Sequence, residues 1–133
     1  PDGKFDFITL WGVLEHLAEP KSVLLDLTKR LTKNGILVMT TVGIDTGIPY
    51  RHRVPIHLFF WSNKSIEILF DHLGIRIMEL RNYTMLQDPD FYLDRILDRG
   101  QVPKQYRKKI TINIGDYIEV PTNEIFIVGK LCN

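Results

Sequence analysis

At 133 residues and 44% hydrophobic side chains, the chain has the length and apolar content to bury one domain core. Seventeen basic against sixteen acidic residues leave a net charge of +1, which removes any bulk electrostatic case for nucleic acid or a membrane surface. The single cysteine, Cys132, excludes an internal disulfide and suggests a cytoplasmic protein, and no apolar run approaches the ~20 residues of a membrane span.

The chain opens on Pro1-Asp2-Gly3-Lys4 rather than Met, and residue 5 already begins a strand of central character. A piece of a longer protein is therefore expected. Phe5 to Leu10 is apolar apart from Asp6 and Thr9, the composition of a strand covered on both faces. Trp11-Gly12 turns it into a short helix carrying Glu15-His16. A longer helix starts at Pro20, with Val23, Leu24, Leu27 and Leu31 spaced for one buried face. Asn34-Gly35 supplies the left-handed stop before a second buried strand, Ile36 to Val42.

Residues 43 to 61 form a long connection of the kind that often carries function. It contains Tyr50-Arg51-His52-Arg53, His57 and an apolar run ending at Trp61. Ser62 is placed to cap a helix whose Ile66, Leu69, Phe70 and Leu73 share a face, and Gly74 ends it. Ile75 to Tyr83 reads as a third strand, wetter on the side of Arg76, Glu79 and Arg81. Asp88-Pro89-Asp90 is a helix start, and that helix should reach Arg99. Between Pro103 and Val120 the pattern fits helix or strand; helix is favoured, closed by Pro121-Thr122-Asn123. Glu124 to Leu131 is the last strand. Strands and helices in this order define an α/β layer fold.

The segments FDFITLWGVLEHL and PKSVLLDLTKRLTKNGILVMTT together resemble the fourth strand, following helix and fifth strand of class I S-adenosylmethionine-dependent methyltransferases. HLFFWSNKSIEILFDHLGIRIMEL is similar to the same family's later His-aromatic segment, helix and sixth strand. The resemblance implies the C-terminal half of a Rossmann-like doubly wound sheet, strands four to seven, with an antiparallel last strand. It also implies a helical insertion at about 84–123. The cofactor would be S-adenosylmethionine and the acceptor a small molecule, methylated at oxygen or nitrogen.

Residue by residue, the resemblance places Leu10, Trp11, Gly12 and His16 on the cofactor side and His57 on the substrate side, as candidate base. From position alone, Trp11 could either cover a ligand or plug the core. For both His16 and His57 the preferred reading from position is structural, a ring held by backbone hydrogen bonds. Glu15 and His16, adjacent on a helix, are expected to face apart. Gly12 stands where a metal-dependent branch of the family carries a glutamate, so no metal is expected. The family's Gly-rich loop and ribose-binding acid do not occur in these residues, so the chain alone should bind the cofactor negligibly.

Two rival functions remain open. One is a non-catalytic methyltransferase-fold scaffold. The other is an RNA methyltransferase using Lys104, Arg107, Lys108 and Lys109, although Asp88, Asp90, Asp94 and Asp98 offset that cluster. The first strand, left as an apolar edge, invites a homo-oligomer.

Overall fold

The computed structural model describes residues 3–46, 56–91, 93 and 117–132. Four strands, β1 (Phe5–Trp11), β2 (Leu31–Val42), β3 (Ile75–Gln87) and β4 (Ile118–Leu131), form one sheet in the order β1-β2-β4-β3. β2 runs parallel to β1 and antiparallel to β4. Between β1 and β2 lie a 3-10 turn (Leu14–His16) and helix α1 (Pro20–Arg30); between β2 and β3 lies α2 (Asn63–His72). This is the expected α/β class with its antiparallel last strand.

The core follows from the alternation of β2 and β4. Leu37 and Met39 point to the same side as Ile125 and Ile127, where they meet Leu24 of α1 and Ile66 and Phe70 of α2. Both helices therefore cover one face of the sheet. On α1 only Leu24 is fully buried among the expected apolar positions; Val23 is exposed and Leu27 half-buried. Gly129 lets α2 approach: a β-carbon there would lie 2.5 Å from Ile75 and 2.9 Å from Phe70.

The other face is bare by comparison. Phe7 is 65% exposed and Trp11 54% exposed, in register with half-buried Ile36 and buried Thr40. Across it, Trp11 stacks with Phe126 at 6.3 Å, Phe126 stacks with Tyr83 at 6.2 Å, and the Arg81 guanidinium lies over Phe126. The composition of a strand covered on both faces is thus not matched by cover in this chain, whereas the expected apolar edge is present among the described residues. β1 is an edge strand, and its composition reports the environment its side chains favour, not what covers them.

Three boundaries differ from the sequence reading. Asn34 has the left-handed backbone expected of it, at φ 71°, but it lies inside β2, not at the end of a helix. α1 ends at Arg30, and the extra residues around Asn34 are absorbed as a bulge, with Phe5 paired to Leu31 but Phe7 to Ile36. β3 runs past Tyr83 to Gln87. Pro121-Thr122-Asn123 lies within β4 rather than closing a helix, with Pro121 exposed and Thr122 hydroxyl donating to the Tyr83 carbonyl at 2.7 Å.

Contacts divide the chain into two compact units, Pro1–Tyr83 with Thr122–Asn133, and Thr84–Pro121. In the second, Asp88 accepts from the Phe91 amide at 2.9 Å, the expected helix cap. The remainder of that helix, the ambiguous stretch from Pro103 to residue 116 and the Lys104–Lys109 cluster lie outside the described residues. No described helix is long and apolar enough to cross a membrane.

Candidate functional site

Ligands of open α/β sheets sit beyond the carboxyl ends of parallel strands. Here that place is the end of β1. The chain leaves β1 through Gly12, whose φ of +60° is one that L side chains rarely adopt. Its amide donates to the Thr40 carbonyl and is also 3.2 Å from the Thr40 hydroxyl, which ties the turn to β2. A left-handed turn of this kind favours glycine over any residue with a side chain.

The 3-10 turn that follows holds Glu15 almost wholly inside, at 3% exposure. One carboxylate oxygen accepts from the Thr41 hydroxyl at 2.8 Å; the other lies 3.9 Å from Nε2 of His16. Adjacent residues were expected to face apart, and they do not. A Glu side chain is long enough to bend back, and the imidazole of His16 is held by its other nitrogen. Nδ1 of His16 is 2.7 Å from the Ile56 carbonyl, an acceptor, so Nδ1 carries the proton and donates.

His57 joins this pair from the loop after β2. Its ring meets that of His16 edge-on at 4.8 Å and that of Phe60 at 6.2 Å. The loop is pinned by the Leu58 and Phe59 amides, both donating to the Glu15 carbonyl, at 2.8 and 3.2 Å. Glu15 is therefore the hub: its backbone fixes the loop and its side chain faces both imidazoles. Ligand atoms of Glu15, His16 and His57 all lie within 4.8 Å of one another.

Of the residues singled out from sequence, Gly12, His16 and His57 gather at the end of β1, and Trp11 stands beside them on the exposed face. Trp11 does not plug the core. Leu10 does pack against the core, which leaves its backbone rather than its side chain for a ligand. Arg51, His52 and Arg53 lie outside the described residues. Sequence reasoning weighed the Glu15-His16 pair as a metal ligand or proton acceptor and preferred a structural role for it; it missed Thr41.

A family model described as a methyltransferase domain matches residues 1–80. The chain belongs to that methyltransferase-domain family. Among solved structures it is similar to a Bacillus halodurans C-125 protein described as a putative methyltransferase (TM-score 0.61, 15% identity, 99% of this chain and 72% of that one). It is also similar to YcgJ from Bacillus subtilis (TM-score 0.57, 19% identity, 100% and 66%). A third similar fold is that of the cyclase SpnF (TM-score 0.54, 16% identity, 98% and 51%). At these identities the likeness is one of fold. No curated protein matches the sequence. The chain spans 72%, 66% and 51% of the lengths of these three neighbours.

Proposed function

We propose that the chain forms the C-terminal part of an S-adenosylmethionine-dependent methyltransferase that methylates a small molecule at oxygen or nitrogen. The observation that supports this most is the end of β1, where exposed Trp11 and left-handed Gly12 stand beside Glu15, His16 and His57 in a chain of the methyltransferase-domain family. The residues present suit one wall of such a site: a flat aromatic side chain and a turn without a side chain that lets a ligand approach the backbone. Leu10 backbone, Trp11, Gly12 and His16 would hold the cofactor, which supplies an electrophilic methyl group on sulfonium sulfur.

The chain's own contribution is alignment and proton removal. In this reading His57 takes the proton of an acceptor hydroxyl or amine, and the two backbone hydrogen bonds from its loop to Glu15 support that role. The bare face and free edge of the sheet belong to the same reading. In the longer protein they would be covered by preceding strands and helices, and residues 84–123 would act as an insertion that shapes acceptor choice. In the isolated chain, the β1 edge would pair with a second copy.

A neighbour described as a cyclase shows that the fold does not itself fix the reaction. A fold retained without methyl transfer is therefore the second reading. Calorimetric titration of S-adenosylmethionine separates the two: the full-length gene product should bind it, and the 133-residue chain should not. No heat of binding from the full-length protein would overturn the methyltransferase reading and leave the scaffold.

A further inference from the structure

We propose that Glu15, His16 and His57 form a binding site for a divalent transition-metal cation. The inference does not depend on methyl transfer, and it runs against the expectation from Gly12 that no metal binds here.

The first argument is burial. Glu15 is 3% exposed, with its carboxylate turned inward onto the Thr41 hydroxyl and the His16 ring. Carboxylates taken out of water are paired or coordinate metals. A cation held between Glu15 and the two imidazoles would coordinate this one.

The second argument is orientation. A ligating histidine commonly donates its other ring N–H to a carbonyl or carboxylate, which fixes the tautomer and aims the lone pair. His16 already does so. Nδ1 donates to the Ile56 carbonyl at 2.7 Å, which turns Nε2 toward Glu15 at 3.9 Å. Thr41 holds the second carboxylate oxygen, so the first is the one presented to the imidazoles. Ligand atoms on a tetrahedral cation sit about 3.4 Å apart, given bonds of roughly 2.1 Å. The trio, within 4.8 Å, closes onto a cation with side-chain shifts of about 1 Å.

The third argument is chemistry. One carboxylate and two imidazoles suit zinc, manganese, iron(II) or cobalt, and are poor for calcium or magnesium, which take mostly oxygen. Three protein ligands leave coordination positions open to water or substrate. Gly12 adds no side chain on that flank: a β-carbon there would already touch Glu15 Oε1 at 3.5 Å. With a cation bound, His57 is a ligand and not a base, so its two roles exclude each other.

The test is calorimetric titration of Zn2+ alone into the chelator-stripped full-length protein, in a Cys132→Ser background that removes the exposed thiol. One saturable site is expected. Glu15→Gln and His57→Gln should each weaken it by about 10- to 100-fold. His72→Gln, on the far helix, should leave it unchanged. Should Glu15→Gln fail to fold, the visible absorption of bound Co2+, present in the parent and lost in His57→Gln, decides the matter. Absence of saturable binding below millimolar Zn2+, or equal binding by the parent and His57→Gln, would overturn the site. Neither outcome depends on S-adenosylmethionine, so this proposal and the methyltransferase reading fail separately.

Discussion

Gly12 shows how one backbone angle decides which chemistry a strand end can hold. At φ +60° a β-carbon is strained, so the position yields its side chain and the following turn brings Glu15 inward instead. Gly12→Ala should therefore destabilise the fold by roughly 1–2 kcal/mol, read as a lower urea midpoint with an unchanged slope. An unchanged midpoint would mean that the turn relaxes at no cost. At this scale the sequence was informative about membership but not about grouping. Trp11, Gly12 and His16 lie within one short stretch of sequence, so their proximity could be read directly. His57 is brought to them by tertiary contacts with no local signature: the Leu58 and Phe59 amides on the Glu15 carbonyl and the Ile56 carbonyl on the His16 ring. The expectation that Glu15 and His16 diverge failed for a related reason: it used helical directions, and a single 3-10 turn with a long side chain escapes them.

Elements with their own punctuation were the legible ones. Ser62 accepts from the Ser65 amide at 3.0 Å, and Ser65 hydroxyl accepts from the Ser62 amide at 2.9 Å, a reciprocal cap at the start of α2. Gly74, at φ +65°, ends the same helix as expected. Ser62→Ala should cost about 1 kcal/mol, measurable as a lowered thermal midpoint, with Ser62→Asp retaining most of it. If both variants lose stability equally, the hydroxyl matters for packing and not for capping. Asn34 taught the opposite lesson. Its left-handed conformation was legible, but whether it ends a helix or bulges a strand depends on the register with β1, which no local pattern carries. Pro121 misled in the same way: an exposed proline is tolerated within β4.

For the molecule as a whole, the decisive asymmetry is between the two faces of the sheet. One is filled by α1 and α2; the other presents Phe7 and Trp11 to solvent beside the edge of β1 that no described strand pairs with. The sequence made the α/β order and the sheet's apolar strands legible, because periodicity reports both. Composition alone could not tell an edge from a centre, since the side chains are the same in both places; the reading of β1 as an edge rested on strand order instead. The isolated 133-residue chain should consequently self-associate, with sedimentation showing dimers or larger species whose population rises with concentration. A monomer persisting at high concentration would mean that the edge is protected. The most direct test of the central claim, that the end of β1 is a wall of a cofactor site, is the affinity of the full-length protein for S-adenosylmethionine with and without Trp11→Ala. Trp11 is 54% exposed, so the substitution should leave the fold intact while weakening binding about tenfold, the equivalent of 1.4 kcal/mol. Identical affinities in the two proteins would contradict the account.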